Sequence, residues 1–294
     1  MNTNINLPFF HIDHFIYPFI DGAFLCKSGE YLDGFFLVDS GSSDNTFNKE
    51  ALHLLAEGSI CGDKRKVCAV NNVGEECELT DIKIKIGTIE CEERFSISNN
   101  LDFKSMFGEN TIIGILGAGF MRKYGLVLDY SQRCVRSSEL THFSEIGKSF
   151  VCPMFAGFHF YGIPLVCLTN GEKEFLCVAD SGCNSSALTK FAMETVAKNY
   201  DRINGCQSMR TIAGEEITDQ AKVEFSLLSI SEDESKNHLV PNTDHFLIIN
   251  DKKHICWCEN KEIPPISGLI SSSFMLRNKW ILDFNVGYIY VKAA

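Results

Sequence analysis

The stretch TIIGILGAGFMRKYGLVLDY, Thr111 to Tyr130, decides the architecture of this chain. An apolar run enters a turn with Gly117 and Gly119, and two readings follow. In one, the segment opens a dinucleotide-binding unit with a strand, a phosphate loop and a crossover helix. In the other, two strands are joined by a single helical turn, and the glycines serve packing. The first reading requires G-x-G-x-x-G, but Arg122 stands where the third Gly belongs. It also requires an acidic residue roughly 20 residues on, and Asp129 comes too early. Only about one helical turn separates Phe120 from the next apolar strand, too little for the crossover of a βαβ unit.

The end of the chain supplies the rest of the answer. It reads ISGLISSSFMLRNKWILDFNVGYIYV, Ile266 to Val291. With Phe120-Met121 set over Phe274-Met275, Gly114 falls on Gly268 and Ile115-Leu116 on Leu269-Ile270. Val127-Leu128-Asp129-Tyr130 then falls on Ile281-Leu282-Asp283-Phe284. Upstream, FFLVDSGSS (Phe35 to Ser43) corresponds to LCVADSGCN (Leu176 to Asn184). A short strand and a Gly-containing hairpin turn precede each, AFLCKSGEYLDG and PLVCLTNGEKE. The Asp-Ser-Gly copies lie 180 − 39 = 141 residues apart and the Phe-Met pairs 274 − 120 = 154 apart. The same order of features at nearly one period marks a repeated unit of about 145 residues. The second copy has serines at the glycine positions and keeps the rest, so no phosphate is implied.

These residues resemble those of a pepsin/retropepsin-like aspartic protease with both lobes on one polypeptide. The apolar strands running into Asp-Ser-Gly, and the later apolar-apolar-Gly strand with its short helix, carry the likeness. The wording GILGAGFMRKYGLVLDY is closest to bacterial retropepsin-like domains. The resemblance implies an all-β, two-lobed acid-protease β-barrel fold with short helices. The lobes would be residues 1–145 and 146–294, each with one Asp-Ser-Gly loop, meeting near Thr141 to Phe150. Short helices are expected after each Asp-Ser-Gly and each Phe-Met. The longest runs from Ser186 to about Lys198, where apolar residues recur at helical spacing.

The resemblance also implies a site. Asp39 and Asp180 would share a water and hydrolyse peptide bonds, with no metal or cofactor. Ser40 and Ser181 would cross-link the two loops beneath them, and Gly41 and Gly182 would let amide groups approach the carboxylates. One position further, the copies diverge into Ser42 and Cys183. A hydroxyl there donates to a carboxylate and lowers its pKa, whereas a thiol donates weakly. This contrast predicts a pair that titrates higher than in strongly acid-adapted relatives. Gly117 fits the crossing strand behind the first loop, and Ser271 departs from that pattern in the second. Flap candidates are Ala69 to Gly74 (with Asn71, Asn72, Val73 and Gly74) and Ile212 to Gly214 (with Ala213 and Gly214). The first lacks the Tyr that pepsin-like enzymes carry there.

Composition narrows the partners. A formal net charge of −11 excludes nucleic acid or an anionic membrane as the main partner, because phosphate binding needs a basic face. A peptide or protein substrate and a monomer acting as an intramolecular pseudo-dimer are expected. Without a signal peptide, the thirteen Cys are expected as reduced thiols in a cytoplasmic protein. The uncharged run Phe150 to Leu168 has membrane-spanning length, but Pro153, Gly157, Gly162 and Pro164 break it, and two short buried strands explain it. His254, Cys256 and Cys258 share one strand face without a fourth ligand, so a packed strand outranks a zinc site. Cys183 lacks a placed base and reads as a packed thiol rather than a nucleophile. The rival reading of the whole chain is a catalytically silent peptide- or protein-binding module that retains the fold.

Overall fold

The apolar runs that enter the two Asp-Ser-Gly loops are too continuous to face water on either side, and the structure, a computed structural model, buries them accordingly. Phe36, Leu37 and Val38 are buried in the strand Tyr31–Asp39, as are Leu176, Cys177 and Ala179 in the strand Glu174–Asp180. The structure describes residues 5–12, 15–55, 60–68, 74–99, 101–108, 110–137, 149–153, 162–196, 199–211, 214–230, 237–250 and 265–292.

Each aspartate strand forms an antiparallel hairpin with the strand before it. Phe15–Leu25 pairs with Tyr31–Asp39, and Leu165–Thr169 pairs with Glu174–Asp180. Each then accepts a late strand in parallel. Ile112–Gly117 joins the first, with Asp39 opposite Gly117, and Ile266–Ser271 joins the second, with Asp180 opposite Ser271. On its other edge the late strand meets, antiparallel, the short strand that follows each loop, Asn45–Phe47 or Ser186–Thr189. The late strand therefore threads between the two arms of its own loop. That passage is narrow. A Cβ on Gly114 would come within 3.2 Å of the Phe47 Cα, and one on Gly268 within 2.5 Å of the Ala187 carbonyl oxygen. Gly114 and Gly268, aligned in the repeat, are both required by this approach.

Among the described residues the strands make two sheets. One has eight strands, from Phe10–Ile12 to the edge strand Ile60–Cys68. The other has thirteen and draws on both ends of the chain. It starts at Asn6–Pro8, passes through Cys134–Ser137 and Leu126–Asp129, and crosses to Ile281–Asp283 and Tyr288–Lys292. At the crossing, Leu128 pairs with Leu282, and 282 − 128 = 154, the offset of the Phe-Met pairs. Each half thus meets its own counterpart strand there. One apolar core runs through both halves, from Phe36 and Phe95 to Phe274 and Trp280, the last two packed edge to face at 5.4 Å.

Several expectations need correction. The helix expected over Ser186 to Lys198 is a strand at its start. Ser186–Thr189 pairs in parallel with Phe246 to Ile249, and the helix occupies only Lys190–Val196. Edge pairing overrides the helical spacing of that segment. After the first Asp-Ser-Gly a strand likewise comes first, then a 3₁₀ helix at Lys49–Leu54. The Phe-Met pairs lie inside the helices Ala118–Lys123 and Ser272–Arg277 rather than before them. The strands Ser149–Pro153 and Leu165–Thr169 overlap the two ends of the uncharged run. No helix among the described residues is long and apolar enough to cross a membrane. The lobe boundary near residues 145 and 146, and the cluster of His254, Cys256 and Cys258, lie outside the described residues.

Gly114→Ala and Gly268→Ala are each expected to destabilise the protein by about 1–3 kcal/mol, the cost of overpacking, in denaturant unfolding. Unchanged midpoints would contradict the threading geometry.

Candidate active site

The two Asp-Ser-Gly loops meet through their serines. Ser40 Oγ donates to the Ala179 carbonyl at 2.6 Å and accepts from the Ser181 amide at 2.9 Å. Reciprocally, Ser181 Oγ donates to the Val38 carbonyl at 2.7 Å and accepts from the Ser40 amide at 2.7 Å. Both serines are fully buried. Each hydroxyl uses its one proton and one lone pair across the interface, so each loop is fixed by the backbone of the other.

This grip sets the carboxyls against the opposite loops. A Cβ on Gly41 would lie 2.5 Å from Asp180 Oδ1, and one on Gly182 would lie 2.5 Å from both Asp39 oxygens. Any side chain at either glycine would displace the carboxyl facing it. The glycine amides also serve their own loops: Gly41 donates to Asp39 Oδ1 at 2.8 Å and Gly182 to Asp180 Oδ1 at 2.9 Å. Both aspartates keep partial exposure. Burial raises both above the ordinary carboxylate range. Asp39 is held back by the hydrogen bond it receives from Asp180 and by amides of Gly41, Ser42 and Gly182. Asp180 is pushed well above its usual value by burial, by the charge of Asp39 and by the proton it donates to Asp39. The two titrate as a coupled pair, which gives up one proton readily and holds the second.

The expected contrast between Ser42 and Cys183 is not what the structure contains. Ser42 Oγ donates to the Asp44 carbonyl at 2.7 Å, and Cys183 Sγ to the Ser185 carbonyl at 3.0 Å. Both side chains tie down the loop two residues ahead, and neither hydroxyl nor thiol is given to a carboxylate. The higher titration rests on burial and on the paired charge instead. Burial, followed by the nearby Asp180, also pushes the Cys183 thiol well up, the direction that disfavours a thiolate.

Behind the loops, a Cβ on Gly117 would meet the Asp44 carbonyl oxygen at 2.5 Å, and Gly117 donates its amide to Asn45 Oδ1 at 3.1 Å. In the second half Ser271 donates its amide to Ser186 Oγ at 3.1 Å, and its own hydroxyl lies 3.1 Å from the same oxygen. It also caps the following helix, accepting from the Phe274 amide at 3.3 Å. A long side chain facing none is exchanged for two short ones, and the bond is kept. The flap candidates Asn71, Asn72, Val73 and Ala213 lie outside the described residues. Gly74 and Gly214 open the second strands of two long hairpins, opposite Cys68 and Thr211.

Further residues near the site escape sequence reasoning. Tyr17 is buried, and burial together with Cys183, Asp180 and Asp39 drives its phenol far up. The neighbouring Ile16 amide donates across to Asn184 Oδ1 at 3.2 Å. Two ion pairs, each joining an exposed cation to a buried carboxylate, occupy matching places in the halves: Lys123 with Glu93 at 2.5 Å, and Arg277 with Asp244. The alignment of the Phe-Met segments already sets Lys123 over Arg277, which was the available signal. Among the described residues, no three metal-ligating side chains are gathered.

No family model matches the chain, and no curated protein does. Among solved structures it is similar to an aspartic proteinase from Irpex lacteus, with 8% identity and a TM-score of 0.55, covering 99% of this chain and 98% of that one. At that identity the likeness is one of fold: this is an all-β, two-lobed, pepsin-like fold.

Asp180 protonates more readily in the folded protein than in the unfolded chain, so its contribution to stability is complete at acid pH and is lost as pH rises. Asp180→Asn is therefore expected to melt higher than wild type at neutral pH, with the difference shrinking toward about pH 3.5, below the ordinary carboxylate value. A difference that grows on acidification would contradict the raised pKa.

Proposed function

We propose that this chain is an aspartic endopeptidase that hydrolyses peptide bonds with a water held between Asp39 and Asp180. The observation carrying this reading is the pair itself: two carboxyls on loops cross-linked by Ser40 and Ser181, each set against the glycine of the opposite loop. A proton shared between them leaves one ionised and the other protonated. That division of roles is what acid–base hydrolysis needs, and aspartic proteases are the standard example of such a shared-proton pair.

The steps follow from the two protonation states. The Asp39 carboxylate takes a proton from the water as its oxygen attacks the peptide carbonyl carbon. Asp180 gives its proton to the carbonyl oxygen, leaving a neutral tetrahedral diol. Asp39 then passes its proton to the amide nitrogen, the C–N bond breaks, and Asp180 recovers a proton from a diol hydroxyl as the new carboxyl forms. The reaction consumes one water and needs no metal or cofactor. Both halves stand on one chain, so the protein acts as a monomer, in the single-chain, retropepsin-like form, in a compartment that keeps its thiols reduced. Ser271, the departure that favours a silent binding module, is accommodated by Ser186 and leaves the loop bonds in place.

Peptide-library cleavage across pH 3–8, read by mass spectrometry, tests this. Wild type is expected to cleave, and Asp39→Asn and Asp180→Asn each to lose about 10²–10⁴-fold or more, the range of general acid–base contributions. Activity surviving in both variants would sink the mechanism. Folded wild type that binds peptides but never cleaves them would transfer the case to the binding module.

A further inference from the structure

Beside the second aspartate loop lies a cavity of about 600 Å³, a size typical of ligand pockets. Ser185 and Ser186 line it from the loop, Lys222 and His245 from the hairpin strands, and Asp244 with Arg277 from its inner wall. Strand registers identify the same positions in the first half. Thr80 pairs with Phe95 and Ala221 with Phe246, so Asp81 corresponds to Lys222, Arg94 to His245 and Glu93 to Asp244. Asp44 and Asn45, at the 141-residue offset, correspond to Ser185 and Ser186.

In the first half these positions are filled and neutralised. Arg94 holds Asp81 through two bonds of 2.8 and 2.9 Å. The Asp44 carboxylate takes Arg65 Nη1 at 2.8 Å and Ser43 Oγ at 2.9 Å. In the second half Ser185 removes that carboxylate, and two bases, Lys222 and His245, stand opposite each other where the Asp81–Arg94 pair was. Asp244 does not compensate, because Arg277 and the Ser186 hydroxyl already occupy its two oxygens. Asp201 faces Lys222 across the neighbouring strand but makes no ion pair with it among the described residues. Among the residues that line the cavity, Lys222 is thus the one Lys or Arg without a bonded carboxylate, in a protein of net charge −11.

We infer that this cavity is a carboxylate-binding subsite that receives an acidic side chain of the bound peptide. Lys222 supplies the charge, and Ser185 and His245, which line the same cavity, bring a hydroxyl and an imidazole as further donors. In the first half the loop carboxylate, Asp44, is met by Arg65 of the edge strand and by the Ser43 hydroxyl. In the second half the loop carboxylate is gone, and the cation lining the cavity is Lys222, where the first half has Asp81. The inference rests on the proposed peptidase reading, because the cavity borders the residues that follow Asp180.

The test compares peptides identical except for Glu or Gln at each position around the cleaved bond. Wild type is expected to prefer Glu at one position by about fivefold or more in kcat/KM, the upper range for partly exposed ion pairs. Lys222→Glu should reverse that ratio. Lys222→Gln, which keeps the stem, and Ser185→Asp, which restores the carboxylate of the first half, should both erase it. A ratio unchanged by all three overturns the subsite while leaving peptidase activity standing. If nothing is cleaved, anisotropy binding of the same peptides to wild type applies the same criterion: a Lys222-dependent Glu preference supports the subsite, and equal or absent binding overturns it. Citrate that inhibits Glu and Gln peptides equally, with no Glu preference, would make a free anion the occupant and overturn the side-chain assignment.

Discussion

Four hydrogen bonds between Ser40, Ser181 and the backbones behind them hold the centre of this molecule. Two carboxyls pressed together, with burial raising both pKa values and Asp39 raising that of Asp180 further, would separate if their loops were free to slide. Sliding would strand two hydroxyls, two amides and two carbonyls in a place water does not reach. Each such loss costs about 1–3 kcal/mol, and a proton shared between the carboxyls removes the repulsion of two full charges. The serines thus offset the electrostatic cost that makes the pair chemically useful. Gly41 and Gly182 then set how close each carboxyl comes to the opposite loop.

The sheet delivers the loops to that meeting. A late strand threaded between the arms of each loop leaves no room for a side chain at Gly114 or Gly268, and so positions the loop from behind. The halves agree at this level and diverge one layer further out. There Asn45 and Gly117 become Ser186 and Ser271, and a salt bridge between Asp81 and Arg94 becomes a facing pair of bases. Backbone geometry demands the inner layer. The outer layer is free to change, and differences in what the two halves bind would accumulate there.

The repeat is legible in the sequence because it depends on spacing, on apolar runs, turns and a pair of offsets, and the all-β fold follows from the family resemblance that those residues carry. The two Asp-Ser-Gly copies are legible by their spacing, and the cross-link between Ser40 and Ser181 by the resemblance. Side-chain direction is not. The hydroxyl of Ser42 is able to serve a carboxylate, but the chain turns it to the Asp44 carbonyl, and residue type records capability alone. The segment after Ser185 misleads differently. Ala187 and Leu188 suit a helix, yet the parallel partner at Phe246 to Ile249 draws them into a strand. Glu93 and Asp244 escape because their offset, 244 − 93 = 151, matches neither 141 nor 154. Insertions between the landmarks shift the frame, and only strand register restores it.

The account depends most directly on one buried, shared proton. Carbon-13 NMR titration of carboxyl-labelled aspartates, with Asp39→Asn and Asp180→Asn to assign the two resonances, observes it. The account predicts that the Asp39 and Asp180 signals titrate in two coupled steps. Asp180 should stay protonated well beyond the ordinary carboxylate range and shift downward when Asp39 is replaced. Two independent titrations near the value of exposed aspartates, each indifferent to loss of the other, would contradict it.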